Sequence, residues 1–226
     1  MSHTLLVLAH HRPTSLTAQL AAETRRTIEA AGGTVDLLDL YAEDFDPRLY
    51  EADDPDWDDR EKRYSPEVRA HMRRIDAADD IVVVFPVWWF GPPAILKGWI
   101  DRVWNYGFAY GRSTPRLRAK RMLWLAPAGG TRAEFEANGL EASMDRQLRV
   151  GISEFCGIGD ARVRLLYGAE LSGVPETLRQ GRAREVLAAG AAALAEFRAA
   201  RRRPGDVTLD TEGEADVSGE TEPVSA

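Results

Sequence analysis

Five short apolar runs punctuate the chain, and each is followed by a segment with helical spacing. Ile81-Val82-Val83-Val84-Phe85 is the clearest run, apolar on both faces as a central strand of a parallel sheet must be. Residues 4–9, 34–41, 120–126 and 161–167 read as four further strands, with residues 80–86 third in order. Leu16, Leu20, Ala21, Thr24 and Ile28 recur on one helical face, with Thr14 or Ser15 as the cap. Ser65-Pro66-Glu67 opens a helix to about residue 77. Pro92-Pro93-Ala94 opens another, whose apolar face is Ile95, Leu96, Trp99, Ile100 and Val103. Residues 142–156 and 175–203 read as two more helices. Strands alternating with helices predict an α/β fold: a five-stranded parallel sheet in order 2-1-3-4-5, covered by helices on both faces as a three-layer sandwich.

The interruptions carry as much information. Residues 43–63 hold ten acids and four bases, spotted with aromatics and prolines, and predict a long excursion with a short helix. Beyond residue 203 no apolar periodicity remains. The organisation expected is one domain over residues 1–203 and an acidic, disordered tail over 204–226. The net charge of −7 belongs to that tail, which has seven acids and no Lys or Arg. The other 203 residues carry 29 acids against 29 bases. A neutral body gives no electrostatic footprint for nucleic acid or an anionic membrane surface. Apolar runs are too short to span a bilayer, and no basic leader precedes the first strand. A single cysteine, Cys156, excludes an intramolecular disulfide and a multi-cysteine metal cluster. A reducing cytoplasm is the expected setting, and Cys156 is expected to be a small core residue.

In a sheet of this order, ligands bind beyond the carboxyl ends of the strands. Three loops therefore matter. The first, His10-His11-Arg12-Pro13-Thr14-Ser15, has neither GxGxxG nor a P-loop pattern, but it stands at a helix N-terminus. Free N–H groups, hydroxyls and cationic side chains there can hold a phosphate; an ordinary Ser/Thr cap uses the same groups. The second loop runs Pro86-Val87-Trp88-Trp89-Phe90-Gly91-Pro92-Pro93. Three consecutive aromatics just past a buried strand cannot all enter the core, and a planar ligand stacked on them would bury a large area. The third, Pro127-Ala128-Gly129-Gly130-Thr131, offers unhindered backbone donors or a simple turn. His71 is isolated and expected on the surface or in a cap. Arg112, Arg116, Arg118, Lys120 and Arg121 form a basic cluster expected to be a solvated face. No spacing of His and carboxylates indicates a metal site, and no G-x-S-x-G indicates a hydrolase.

One stretch is highly specific. Phe85-Pro86-Val87-Trp88-Trp89-Phe90-Gly91-Pro92-Pro93-Ala94-Ile95-Leu96-Lys97-Gly98-Trp99-Ile100-Asp101-Arg102-Val103 strongly resembles the NAD(P)H:quinone oxidoreductase family of flavodoxin-like flavoproteins. Gly107-Phe108-Ala109-Tyr110 matches too, as does Val7-Leu8-Ala9-His10 followed by Thr14-Ser15. The resemblance spans roughly residues 4–200. It implies a homodimer that holds FAD, or alternatively FMN, with NAD(P)H as co-substrate. It puts His10, Thr14 and Ser15 along the flavin phosphates. Pro86, Val87, Trp88, Trp89 and Phe90 would run beside the isoalloxazine ring, and Gly129 and Gly130 would approach its pyrimidine edge. In the family a hydride passes from NAD(P)H to flavin N5. The nicotinamide then leaves, and a quinone or other two-electron acceptor takes its place, a ping-pong cycle. Backbone N–H groups near N1 and O2 would act like an oxyanion hole.

The chain departs from the family at one point. The better-known quinone reductases carry a Tyr and a His soon after the two glycines, where this chain has Phe135 and Glu141. Phe has no hydroxyl, and a carboxylate does not stabilise an anionic flavin, so no general acid is assigned. Two other readings of the fold are an electron carrier or ancillary regulatory subunit of a potassium-efflux-type partner, and an interaction protein without flavin. Trp104, Tyr106, Phe108 and Tyr110 require burial, either at a dimer interface or within the monomer.

Overall fold

The computed structural model describes residues 2–59, 61–111 and 115–200; the 204–226 tail and Arg112 lie outside them. The strands are β1 (His3–Leu8), β2 (Thr34–Asp39), β3 (Asp80–Val84), β4 (Arg121–Pro127) and β5 (Asp160–Leu166). They form one parallel sheet in the order β2-β1-β3-β4-β5, as the alternation predicts. Every residue of β3 is buried, which is why its run reads as apolar on both faces.

Two layers of helix cover the sheet. On one face lie α1 (Leu16–Ala30) and α6 (Glu176–Ala199), packing Leu20, Ile28, Leu194 and Phe197 on Leu6, Val82 and Leu123. On the other lie α2 (Pro66–Ala77), α3 (Ala94–Val103), α4 (Arg132–Ala137) and α5 (Leu140–Asp145). The turn after α5 winds on as a π-helical stretch, Arg146–Glu154, that brings Leu148 and Ser153 onto the sheet. Ser153 Oγ accepts from the buried Trp124 Nε1 at 3.0 Å. Capping follows the sequence: Ser15 accepts from Ala18 N–H, Ser65 from Val68 N–H, and Thr131 and Glu134 close a reciprocal box.

Several expectations are corrected. His71 is buried on α2, edge-on to Phe45, because it continues the apolar row of Val68, Met72 and Ile75. The basic cluster is a solvated face only in part: Arg116 and Arg118 are exposed, but its last two members are tied in. Lys120 donates to the carbonyls of Asp76 and Ala78, and Arg121 pairs with Asp160 and lies over the Phe197 ring. Trp104 and Phe108 fill the monomer's own core. Cys156 is buried as expected, and burial pushes its thiol up to about 11.

The acidic excursion after β2 is clamped to the body. Arg102, 3% exposed, donates to Asp53 (2.8 Å, 1% exposed), to Glu67 (2.8 Å) and to the Asp46 carbonyl. Asp53 also accepts from Ser65 N–H and Oγ. Burial alone would raise its carboxyl; Arg102 and Ser65 outweigh that and hold it below the usual range. Asn105 Nδ2 donates to the Asp53 carbonyl. Gly98 lets Pro47 in: a Cβ there would stand 2.3 Å from the Pro47 oxygen.

Candidate functional site

The carboxyl ends of β1, β3, β4 and β5 open on one cavity of about 450 Å³. One end is polar: His10, Arg12, Ser15, Leu16 and Thr17, at the start of α1. The other is flatter and more apolar: Pro86, Val87 and Trp88 after β3, facing Pro127 and Gly129 after β4. Ala169, Glu170, Leu171, Ser172 and Arg179 close the remaining side.

The polar end is built by the cap. Ser15 Oγ accepts from Ala18 N–H, which leaves the N–H groups of Leu16 and Thr17 without carbonyls a turn earlier and directed out of the helix end. These donors, with the positive end of the 15-residue α1 and the Arg12 side chain, suit an anion. His10 is buried, and its Nδ1 accepts from Arg12 N–H at 3.0 Å. That contact leaves Nε2 to carry the proton of the neutral ring. Burial, reinforced by His11 and Arg12, lowers the His10 pKa. Across the cavity Arg179 pairs with Glu176 at 2.9 Å.

The apolar end is built by a strained turn. Trp88 and Gly91 exchange both backbone hydrogen bonds at 3.1 Å, so Trp89 and Phe90 are the two central residues. Both are left-handed, with φ of 50° and 57°. Such a turn normally takes Asn-Gly, and each bulky residue there costs about 1–2 kcal/mol. The side chains gain little in return: Trp89 is 96% exposed, and Phe90 is half-exposed against Phe135 at 5.8 Å between centroids. The N–H groups of Trp89 and Phe90 take no part in the turn's own hydrogen bonds. Trp88 turns back to meet the stacked rings of His10 and His11.

The glycine turn is the third wall. Ala128 N–H donates to the Leu166 carbonyl, Ala169 N–H to that of Ala128, and Gly168 N–H to that of Gly130. This extends the β4–β5 pairing past the strands and draws residues 167–170 into the site. A Cβ on Gly129 would meet the Glu170 Cβ at 3.2 Å. One on Gly130 would meet the Phe135 ring and Glu134 carboxylate, each at 3.1 Å.

Of the residues expected to bind a ligand, the cavity brings together His10, Ser15, Pro86, Val87, Trp88 and Gly129. Thr14, Trp89, Phe90 and Gly130 lie beside it rather than in its lining. The strand-5 loop and Arg179 were not legible as site residues. Ala169, Leu171 and Ser172 carry no distinctive chemistry; the signal available was Gly168 and Gly173, both left-handed, bracketing the loop.

A family model described as flavodoxin-like fold matches residues 2–189. The chain is 41% identical over 161 residues to an uncharacterised NAD(P)H oxidoreductase of Escherichia coli (strain K12), covering 71% of this chain and 81% of that one. It is 31% identical over 185 residues to NAD(P)H dehydrogenase [quinone] 1 of Rattus norvegicus, covering 72% and 68%. Among solved structures, NAD(P)H:quinone oxidoreductase from Methanothermobacter marburgensis superposes with a TM-score of 0.69 at 26% identity, covering 84% of this chain and 95% of that one.

Proposed function

The chain belongs to the family with the flavodoxin-like fold, and from that premise we propose that it is a flavin-dependent NAD(P)H oxidoreductase. It passes a hydride from NAD(P)H to a quinone-like or other two-electron acceptor in a ping-pong cycle. FAD is the cofactor proposed, with FMN as the alternative, and a homodimer is the working state.

The observation that carries this reading is the two-ended cavity. A helix N-terminus flanked by Arg12 and His10 joins, without a break, an apolar wall of Pro86, Val87 and Trp88 opposite a glycine with no Cβ. Its volume lies within the roughly 300–1,000 Å³ of small-molecule sites. An anionic tail and a flat ring on one ligand match those ends. Flavin, when bound, supplies the hydride chemistry.

The chain's own residues supply position and charge. Leu16 and Thr17 N–H groups, with Ser15 and His10 Nε2–H, hold the phosphate end; Thr14 stands alongside. Pro86 to Phe90 present backbone groups and the Trp88 ring to one edge of the flat group. Gly129 and Gly130, without a Cβ, would let backbone N–H groups approach the flat group where negative charge would develop; one such donor is worth roughly 2.7–4 kcal/mol in comparable sites. The exposed Trp89 and Phe90 rings offer a surface on which nicotinamide and acceptor stack in turn. Among the described residues no helix is long and apolar enough to cross a membrane.

The test is the visible spectrum of the purified protein before and after anaerobic NADH or NADPH, with the released pigment identified by chromatography. A bound flavin that bleaches promptly is expected. A bound flavin that stays oxidised would replace this reading with that of a carrier or ancillary subunit. No flavin after reconstitution would overturn it.

A further inference from the structure

The side wall of the cavity carries a charge that its two ends do not require. Tyr167 opens the loop after β5, its ring packed on Phe135 at 5.4 Å between centroids, and Phe135 lies under Gly130. Gly168 N–H then donates to the Gly130 carbonyl at 3.0 Å, and Ala169 N–H to that of Ala128 at 2.9 Å. These bonds set Glu170 directly against the turn: a Cβ on Gly129 would stand 3.2 Å from the Glu170 Cβ. Glu170 Oε1 accepts from Ser172 N–H at 2.6 Å. Both residues line the cavity, so that bond holds the carboxylate along its wall. Among the described residues Glu170 enters no ion pair, and neither does Arg12 at the polar end. Arg179, on the same side as Glu170, is already paired with Glu176. One uncommitted anion and one uncommitted cation therefore border the same space.

An ionised carboxylate only accepts hydrogen bonds. It repels a phosphate, and the negative face of an aromatic ring offers it nothing. What it fits is a hydroxyl, in a bond that its charge strengthens, as the acidic residue of dinucleotide folds takes a ribose hydroxyl. A ligand with an anionic group at α1 and a flat ring at Gly129 has a chain joining the two. We propose that Glu170 is a specificity-determining residue of this site: its second carboxylate oxygen accepts from hydroxyls of that joining chain, the ribityl group of a flavin nucleotide. Arg12 reads the phosphate and Glu170 the polyol, so two parts of one ligand are recognised by separate charges. The same ring and phosphate joined by an alkyl chain would leave the carboxylate with Ser172 N–H alone, and would bind less well. This inference rests on the flavin reading proposed above.

The test is flavin binding by the full-chain apoprotein, followed by fluorescence. The probes are FAD, FMN, riboflavin, which lacks the phosphate, and lumiflavin, which lacks both phosphate and polyol. Glu170→Ala is expected to weaken FAD, FMN and riboflavin alike, each about tenfold, as for loss of one hydrogen bond to a charged group, and lumiflavin less than about twofold. Glu170→Gln keeps an acceptor for Ser172 N–H and an uncharged one for the hydroxyl, and should weaken the first three only about threefold. Arg12→Ala is the counter-case: it should weaken FMN and leave riboflavin within about twofold. Unchanged affinity for FMN and riboflavin in Glu170→Ala overturns the proposal. So does an equal loss for lumiflavin, which would make Glu170 a prop of the loop or a partner of the ring. A loss confined to FAD also overturns it, by assigning Glu170 to the adenosine half. All three results leave the proposed function standing. Failure of the unsubstituted protein to bind any flavin overturns both.

Discussion

Two segments flank the sheet's carboxyl edge, and their compositions point the wrong way. The 43–63 excursion is acidic and proline-broken, the composition of a loose surface loop, yet its centre is bolted in by an ion pair less than 4% exposed. The Trp88–Gly91 turn is the most aromatic stretch of the chain, the composition of a core, yet it holds Trp89 out at 96% exposure on a left-handed backbone. The apolar turn departs from its preferred state and the charged loop is drawn into the body. Strain with so little packing return is a mark of a working surface. A buried pair tied to Ser65, Glu67 and the Asp46 carbonyl as well marks a segment that the fold must keep in register.

The largest effect should come from unbolting the excursion. Arg102→Leu leaves Asp53 buried with only Ser65 and should destabilise by about 3–5 kcal/mol in urea unfolding; a loss under 1 kcal/mol would show that the excursion is held elsewhere. Gly98→Ala drives a methyl into Pro47 and should cost about 1–3 kcal/mol. If it costs nothing, Pro47 can retreat and the close approach is incidental. The opposite sign is expected on the other side of the comparison. Trp89→Gly relieves a left-handed residue that buries almost nothing, and should stabilise by about 0.5–1 kcal/mol. A destabilisation would mean that the ring is covered in solution.

The smallest effect is one of pH. His10 at the cavity and His71 beneath the excursion are both held neutral, chiefly by burial, below the ordinary 6.5. The unfolded chain then binds more protons, so their contribution is full above about pH 6.5 and is lost as pH falls through the lowered values. The melting temperature should be lower at pH 5.5 than at 7.5. His71→Gln and His10→Gln should each flatten that slope, one for each region. A slope untouched by both would assign it to other groups.

The strand order was expected from the β-α alternation as a whole; the strand runs and the helix faces were legible because each depends on neighbours within a turn or a strand. The same holds for Ser15 and Ser65 as caps. His71 was legible in principle, since it sits three residues from Val68 and four from Ile75, but a lone histidine invites a surface reading. The bolt was not legible: Asp53 and Arg102 are 49 residues apart, and nothing local distinguishes Asp53 from nine other acids of its segment. At the site, the phosphate-like end and Pro86, Val87 and Trp88 came from the sequence. The strand-5 side did not, because Ala169 and Leu171 enter through backbone pairing with Ala128, which carries no residue signature. Nor could the sequence tell that Phe135 would bring Tyr167 beside the glycine turn.

The Cys156 thiol is buried and stays protonated well above neutrality, and the chain has no other cysteine. The protein is therefore silent toward thiol-directed dyes while folded. A cysteine introduced at position 89 would be the sole reporter, standing fully in solvent at the lip of the cavity. A spin label or fluorophore placed there could follow entry of each reactant, and pairs of labelled chains would report by distance whether two copies share that lip.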